Sequence, residues 1–598
     1  MARKASKGLP AAADRVSDRI ITLSMLKAAN LQVDNPDPGV VTSAGEAKTY
    51  AGVRRAVWTL GALMLVLISA FDLGPPLAFN DDWIYAWSVR HLNLLHTQLY
   101  PSASAPALPQ IAWAWLATLG HADQRLLRLS IIPFVVIAMW ALYRLARHVG
   151  ADKTWSAMAA ISPLAFPVFS ADATTFMSDV PYVALIIVSA LGAVKWAGGG
   201  GKRWIGLCVT LAVLATLQRQ TGAAIPLGVT AALWLKSGGR RSWRGMDLVG
   251  QVALWSGCLC AIALPSLIGF STPTQGSRLA TALGFHSLDF ILALMFLPGM
   301  LGLGLVLFLP GMALSSSPLV GWKRVRPWIF RLVILELVVL TLTGTVFAGN
   351  VFTPFGFTSN IDPAKMGIKP HLFALPIFLV IEILAVAALV AFVRRWHDWW
   401  RTATGRGGLT LLLLSLSQFL PLLLAPYIFD RYYLASVLLL SPIAARTASQ
   451  GNRPVLAARL ALALMAASTV LYVAGEQDYQ AWMVARNQAT CLAYQYASPM
   501  EVYAGYEAMA VYVEVPYYEH HGVVLGGAAV SNNPFYFSLQ GPSDPLISVQ
   551  FAPSNDPRPG YNYSSLASAK LVLVPGPSGR GLNIQAPSGQ PPACPPTG

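Results

Sequence analysis

The sequence predicts an all-α polytopic membrane protein that carries a small α/β soluble domain at its C-terminal end. Of its 598 residues, 55% are hydrophobic and only 12% are charged, and the mean hydropathy is +0.53. Such a composition excludes an ordinary soluble globular protein. Apolar stretches that approach the length of a bilayer crossing recur along the chain, for example Val57–Leu73, Leu248–Phe270 and Val455–Val473. We expect roughly thirteen transmembrane helices, several of them broken by Pro or Gly.

The basic residues indicate which loops face the cytoplasm. The formal net charge is +15, yet the cations are not gathered into one stripe with exposed aromatic residues, so the pattern predicts no nucleic-acid partner. They recur in every second loop, which the positive-inside rule assigns to the cytoplasm together with the N-terminus. These clusters are Arg54/Arg55, Arg144/Arg147, Lys195/Lys202/Arg203, Arg240/Arg241/Arg244, Lys323/Arg324/Arg326, Arg394/Arg395/Arg401 and Arg446/Arg453.

Three regions follow one another along the chain. Residues 1–53 are polar and basic without the apolar core of a signal sequence, and we expect a disordered cytoplasmic tail. Residues 54–474 contain the apolar spans. Residues 475–598 form an outer soluble domain, in which DYQAWMVARNQATCLAYQY predicts a helix and KLVLVPG a buried strand before a Pro/Gly-rich end.

The elements of the membrane region are predicted in order from its apolar stretches and their breaks. The first outer loop, 74–125, contains Trp83, Trp87 and Leu94 near helical spacing, which predicts an amphipathic helix in the membrane interface. The next spans are Leu126–Leu145, Trp155–Phe169, Tyr182–Val194, Trp204–Leu217 and Ala223–Leu235. Later outer segments are Ser271–His286, Gly349–His371 and Tyr427–Tyr432. The long segment Gly349–His371 is rich in Gly and Pro, so we expect a lid that orders over substrate.

Six charged residues map to the outer side by this topology, opposite the basic loops. They are Asp81, Asp82, Asp179, Arg219, Asp430 and Arg431. Charges at a membrane surface are costly unless they are paired or used, so their shared side predicts a functional site there. The acidic pair in NDDW has a simpler interpretation as a helix N-cap, and the Asp430–Arg431 pair as a local ion pair.

Two further interpretations stay open for the cations and the aromatic residues. Arg219 and Gln220 lie where a short span ends, and a guanidinium there can clamp a phosphate or instead reach for lipid headgroups. Tyr432 and Tyr433 fit an interfacial aromatic belt equally well.

The five cysteines separate into two groups. Three of them, Cys208, Cys258 and Cys260, lie in apolar spans and are most simply core residues. Cys491 and Cys594 follow the last span, in what the topology makes an oxidising compartment, and we predict a disulfide between them.

Several of these segments resemble GT-C glycosyltransferases of the protein O-mannosyltransferase and aminoarabinose transferase type. The acidic pair Asp81 and Asp82 looks like their first catalytic motif, and SPLAFPVFSADATTFMSDVP, LATLQRQTG and FDRYYLASVLLLSP are similar to later segments of bacterial members. The resemblance covers about Val57–Leu440, and more weakly DYQAWMVARNQA and VYAGYEAMA. No motif is specific alone, but their order and common side agree with the family.

The resemblance implies an enzyme of the inner membrane that transfers a sugar from a polyprenyl-phosphate donor to a glycan, lipid or protein acceptor on the outer, periplasmic face. By position, Asp81 is the general base, and Asp82 and Asp179 orient the acceptor, tune the base or help hold a metal. The residues that would bind the donor phosphate are Arg219, Gln220, Arg431 and Tyr432. Some members use a divalent metal, but no cluster with ligand spacing is evident here. The cation usual near the start of the interfacial helix is missing, since Arg90 is the first.

Two other functions fit the membrane region. A secondary transporter also has broken helices and intramembrane charges, but it tends to hold charges near the midplane and to show internal repeats, which this sequence lacks. A lipid-linked glycan ligase or polymerase shares the donor class and the side, and differs in using basic rather than acidic catalytic loops.

Overall fold

The computed structural model describes residues 44–75, 77, 82–92, 99, 103, 105–236, 245–267, 287–314, 327, 330–331, 333–339, 374–395, 407–424, 429–498, 501–504, 546–553, 557–558, 560–563 and 569–575. The chain divides into two units, residues 1–51 and residues 52–598. In the first unit the described residues, 44–51, are helical. The sheet, the site and most of the helices lie in the second unit.

Helices dominate the described part of the chain. In order they are α1 Ala44–Asp72, α2 Asp82–Arg90, α3 Leu108–Ala117, α4 Gln124–Leu129, α5 Ile132–Val149, α6 Lys153–Ala165, α7 Pro167–Ala173, α8 Asp179–Ala197, α9 Lys202–Gln218, α10 Ile225–Lys236, α11 Gly245–Leu267, α12 Ser287–Leu305, α13 Leu309–Ala313, α14 Ala374–Arg394, α15 Gly408–Phe419, α16 Leu434–Leu438, α17 Ser441–Ala448 and α18 Pro454–Ala493. Short 3-10 turns occupy Gln220–Ala224, Val306–Phe308, Leu420–Leu424 and Asp430–Tyr433.

Among the described residues, seven helices are long and apolar enough to cross a membrane, or eight if α6 and α7 form one broken span. These spans confirm the predicted all-α polytopic membrane protein. They are Ala47–Asp72, Gln124–Val149, Asp179–Ala197, Asp247–Pro265, Phe290–Ala313, Pro376–Arg394 and Pro454–Ala493. The expected total of roughly thirteen stays a prediction, because parts of the chain that contain predicted spans lie outside the described residues.

The break between α6 and α7 shapes the segment that carries Asp172 and Asp179. The two helices meet at 65°, and Phe166 between them is extended. Pro167 begins α7, where its missing N–H leaves no helical hydrogen bond unmade. The stretch predicted as a single span at Trp155–Phe169 is therefore broken at Phe166, and the chain turns before it reaches α8.

Two other boundaries differ from the prediction. Helix α1 begins at Ala44, so the last ten residues of the predicted tail are helical. Helix α18 runs unbroken from Pro454 to Ala493, so the expected boundary at residue 475 falls inside one helix. The last apolar stretch and the predicted polar helix DYQAWMVARNQATCLAYQY form one continuous helix. Neither an internal Pro nor a pair of Gly residues breaks it between them.

The predicted α/β character of the C-terminal region is confirmed by a four-stranded sheet in the order β1-β2-β4-β3. Its strands are β1 Val502–Tyr503, β2 Ile547–Pro553, β3 Gly560–Tyr563 and β4 Ala569–Pro575. Strands β1 and β2 are parallel, while β4 pairs antiparallel with β2 and β3. The predicted strand KLVLVPG is β4, and its Val572 and Leu573 are buried, as the apolar run requires.

The end of α18 supplies the other half of this C-terminal core. Trp482, Ala489 and Leu492 of α18 pack with Val549 and Leu573 of the sheet, and Leu77 from the segment after α1 packs against the same cluster. Cys491, also in α18, is disulfide-bonded, which confirms the part of the disulfide prediction that concerns it. Its predicted partner, Cys594, lies outside the described residues.

The predicted interfacial helix exists but is not a surface helix. In α2 every residue from Asp82 to Val89 is buried, including Trp83 and Trp87, which are 5% and 2% exposed. The prediction that its tryptophans lie at the headgroups is therefore wrong. The spacing of the apolar residues predicts one lipid-facing side, but protein covers both sides of the helix.

Candidate active site

Asp82, at the first acidic position, forms a buried ion pair. Asp82 begins α2, where a carboxylate favours the positive end of the helix dipole, and Arg128 lies near the end of α4. Arg128 Nε and Nη2 each lie 3.4 Å from Asp82 Oδ2, and both side chains are fully buried. The resemblance implies that Asp82 orients an acceptor, tunes the base or helps hold a metal. In the structure its carboxylate is paired with a guanidinium. Asp81 and Asn80 lie outside the described residues.

Arg128 also holds the backbone that leads to this position. Its Nη1 donates to the carbonyl of Pro75 at 3.3 Å, and its Nη2 donates to the carbonyl of Leu77. One turn earlier, Arg125 Nε donates to the carbonyl of Gly74 at 2.9 Å. The planar guanidinium with five N–H donors suits such a role, since it can contact several oxygens at once. The predicted site did not include Arg128. Its position inside the apolar run LLRLSIIPF nevertheless indicates a paired or functional charge, because charges within apolar segments are costly unless they are paired or used.

The second acidic position forms another ion pair, this time between two predicted site residues. Asp179 begins α8 and binds Arg219, which follows the last residue of α9 in an extended conformation. Burial is the largest single effect on the pKa of Arg219 and lowers it, but Asp179, Tyr432 and Tyr85 together raise that pKa above its usual value. The Oδ2 atom of Asp179 is buried and has no hydrogen-bond partner among the described residues.

The aromatic ring of Tyr432 brings the two predicted phosphate-binding arginines together. The guanidinium carbon of Arg219 lies 5.1 Å from the centroid of this ring, and that of Arg431 lies 5.9 Å from it. Arg219 also lies 5.9 Å from the ring of Tyr182, and Arg431 lies 5.1 Å from that of Phe429. Tyr432 is thus more than part of an aromatic belt, because its ring interacts with both cations.

Two further carboxylates surround these cations. Asp430, the first residue of the turn Asp430–Tyr433, is fully buried and accepts a hydrogen bond from the backbone N–H of Arg431 at 2.8 Å. Asp172, near the end of α7, is 3% exposed and interacts electrostatically with Asp179, Asp430, Arg219 and Arg431. The predicted site did not include Asp172, although it lies in the same segment as Asp179, seven residues earlier.

A tyrosine of α2 connects the two ion pairs. Tyr85, one turn after Asp82, donates from its hydroxyl to Ser178 Oγ at 3.4 Å, and Ser178 directly precedes Asp179. Tyr85 also interacts electrostatically with Arg219. Tyr85 therefore links α2, which Asp82 begins, to the residue before Asp179.

A pair of buried glutamines fixes the turn that carries Arg219. Gln218 Nε2 donates to Gln110 Oε1 at 2.7 Å and to the carbonyl of Ser178 at 3.2 Å, while Gln110 Nε2 donates to the carbonyl of Phe176 at 2.9 Å. These bonds join α3, the end of α9 and the segment before α8. Side-chain hydrogen bonds at this turn are made by Gln218, Arg219 and Thr221.

No metal site is formed by the residues that the structure describes. Within them, no group of three or more His, Cys, Asp and Glu side chains is arranged to hold a metal ion. The carboxylates of Asp82 and Asp179 each have an oxygen bound to a guanidinium. The predicted lid, Gly349–His371, lies outside the described residues.

The sequence matches no protein-family model and no curated protein. Two solved structures of ArnT from Cupriavidus metallidurans are similar to this protein at 14% sequence identity. The structure bound to undecaprenyl phosphate has a TM-score of 0.30 and covers 89% of this chain and 98% of its own chain. The apo structure has a TM-score of 0.33 and covers 86% of this chain and 97% of its own. TM-scores of this size do not establish a shared fold.

Proposed function

We propose that this chain is a membrane glycosyltransferase that transfers a sugar from a polyprenyl-phosphate donor to an acceptor on the outer face of the membrane. The observation that carries the proposal is the convergence of Arg219 and Arg431 on the ring of Tyr432, beside the carboxylates of Asp179 and Asp172. Two cations over one ring, in a helical membrane protein, suit a phosphate with an apolar tail.

The reaction needs a base, a path for the acceptor and cations for the leaving group. The acceptor hydroxyl attacks the anomeric carbon, the bond between that carbon and the phosphate oxygen breaks, and the hydroxyl proton passes to a carboxylate. The polyprenyl phosphate leaves with its negative charge, which the guanidinium groups of Arg219 and Arg431 stabilise. Tyr432 keeps the two cations in place and offers its hydroxyl to the phosphate.

We assign the base to Asp81. Asp82 and Asp179 each have an oxygen committed to a guanidinium, so their roles are to position Arg128 and Arg219 rather than to accept the proton. Asp81 precedes Asp82 directly, and Arg128 binds both Asp82 and the backbone at Pro75 and Leu77. Arg128 thereby binds the chain at described residues on both sides of position 81.

Donor binding can be tested without knowledge of the sugar. We expect polyprenyl phosphate to raise the thermal unfolding temperature of the purified protein in detergent, and Arg219→Ala and Arg431→Ala to abolish that increase. Arg203→Ala is the matched control, since Arg203 is an exposed cation that lies 5.2 Å from the ring of Trp204, at the far end of α9. Equal loss in all three variants would indicate non-specific attraction of the anion and contradict the assigned site.

Turnover distinguishes the enzyme from the two alternatives. A glycosyltransferase in liposomes releases free polyprenyl phosphate from a polyprenyl-phosphate sugar only when an acceptor is present. A transporter would move its substrate across the bilayer without releasing free polyprenyl phosphate. A ligase or polymerase would require a donor that already carries a glycan. No release from a panel of polyprenyl-phosphate sugars and acceptors, by a protein that binds polyprenyl phosphate, would argue against the proposal.

A further inference from the structure

A buried glutamate of the long helix α18 touches neither of the ion pairs but connects the segments that carry them. Glu476 is 1% exposed. Its Oε2 accepts a hydrogen bond from Thr174 Oγ1 at 3.2 Å, and its Oε1 accepts one from Gln480 Nε2 at 3.3 Å. Gln480 Nε2 also donates to the backbone carbonyl of Phe71 at 3.1 Å.

The two ends of this chain of hydrogen bonds lie beside the acidic positions. Phe71 is in the last turn of α1, immediately before the segment that leads to Asp82. Thr174 follows α7 and lies between Asp172 and Asp179. These contacts join residues 302 and 409 positions apart in the sequence, so they are made only when the three helices are assembled.

The fit between α18 and the end of α1 is close. A Cβ atom added to Gly74 would lie 2.9 Å from Gln480 Oε1 and 2.8 Å from the carbonyl oxygen of Phe71, which leaves no space for a side chain. Three residues later, Leu77 packs on the core formed by the end of α18 and the sheet. The segment from Phe71 to Leu77 is therefore held by α18 on one side and by Arg125 and Arg128 on the other.

We propose that Glu476 is a positioning residue, which, together with Gln480, fixes the segment before Asp82 relative to the segment that carries Asp172 and Asp179. The proposal rests on the proposed glycosyl transfer at this site. Helix α18 continues without a break from Glu476 to the core that it forms with the C-terminal sheet. The hydrogen bonds of Glu476 therefore connect this core to the segments of the active site. Arg128 lies within electrostatic range of Glu476 and so links the two sides of the site.

The positioning role depends on hydrogen bonds rather than on the charge of Glu476, and Glu476→Gln tests this directly. The amide oxygen of glutamine can accept from Gln480. Its NH₂ group can donate to Thr174 Oγ1, whose own proton can go to the carbonyl of Ala171, 2.8 Å away. Glu476→Leu has similar volume and can make neither bond. Gln477→Leu is the matched control, because Gln477 is the exposed neighbour on the same helix.

We expect Glu476→Leu to lower kcat by about 10- to 100-fold, as a displacement of about 1 Å can do, with the KM for the donor little changed. Glu476→Gln should keep kcat within about threefold of the wild type, since it restores both bonds. Equal loss in the Gln and Leu variants would show that the charge is required, and unchanged kcat in the Leu variant would show that the contacts do not matter. Either result overturns the proposal.

Hydrogen–deuterium exchange separates this proposal from the function on which it rests. In Glu476→Leu we expect faster amide exchange at residues 71–77 and 172–179, with wild-type exchange in Glu476→Gln and Gln477→Leu. This readout needs no substrate, so it tests the framework even if transfer activity is not found. If Glu476→Leu does not fold, Thr174→Val removes one of the bonds at constant volume, and its exchange at residues 172–179 should increase. Unchanged exchange in the variant that folds would contradict the positioning role.

Discussion

Replacing Arg128 with methionine should destabilise the protein more than most single substitutions. Methionine keeps much of the apolar volume of the side chain but leaves Asp82 as a fully buried carboxylate without its guanidinium partner. Removing one partner of a buried ion pair typically destabilises a protein by about 3–5 kcal/mol. The carbonyls of Pro75 and Leu77 lose their donors as well, so the upper part of that range is expected.

The double variant Arg128→Met with Asp82→Asn shows whether the loss arises from the unpaired charge. Neutralising Asp82 removes the uncompensated charge, so the double variant should recover at least about 2 kcal/mol relative to Arg128→Met. The measurement is unfolding by SDS in mixed micelles, followed by tryptophan fluorescence. Arg203→Met is the control, since that arginine is exposed. A loss below about 1 kcal/mol for Arg128→Met would refute the reasoning, because an exposed pair contributes no more than that.

Three further predictions concern other parts of the site and the C-terminal region. Arg219→Lys should weaken polyprenyl phosphate binding about tenfold in thermal-shift titrations, because an ammonium cannot pair with Asp179 and stack on Tyr432 as a planar guanidinium does. Gln218→Leu should lower stability by about 1–3 kcal/mol in SDS unfolding, since it leaves the buried amide oxygen of Gln110 without its donor, and a change below the error of the titration would contradict this. Cys491→Ser should lower the unfolding temperature, as loss of a disulfide typically destabilises a domain by about 2–5 kcal/mol, and reductant should lower it in the wild type but not in the variant.

The helical membrane architecture could be predicted because it depends on local composition. An apolar stretch of about 20 residues is helical in a bilayer wherever it lies in the chain, since every backbone group must be satisfied within the segment. The strand at KLVLVPG was predictable because a short apolar run that ends in a Pro-Gly turn is a local signal for a buried strand. The start of α1 and the continuity of α18 were not, because polar residues extend a helix as readily as apolar ones once it has begun.

The partners within the site could be predicted only in part. Asp179, Arg219, Arg431 and Tyr432 were placed at one site by their common side, and the structure brings them together. The pairing of Asp82 with Arg128 was not predicted, because the topology placed Arg128 inside a span. A sequence shows which residues reach the same side of the membrane. Which charge pairs with which depends on helix packing, and packing joins residues far apart in the chain.

Asp81 and Asp82 are neighbours with different proposed roles, and the same substitution at each position separates catalysis from stability. Asp81→Asn should abolish transfer, by a factor of about 10² or more, because the amide cannot accept the proton of the acceptor. It should leave the free energy of unfolding unchanged, since asparagine caps a helix as well as aspartate does. Asp82→Asn should instead lower stability by about 1–3 kcal/mol, because Arg128 loses its buried counterion while the amide oxygen can still accept one hydrogen bond. Both quantities can be measured on the same preparations, as release of polyprenyl phosphate and as SDS unfolding. Near-normal turnover in Asp81→Asn would reduce Asp81 to a helix cap, and the base would then have to be Asp82 or Asp179.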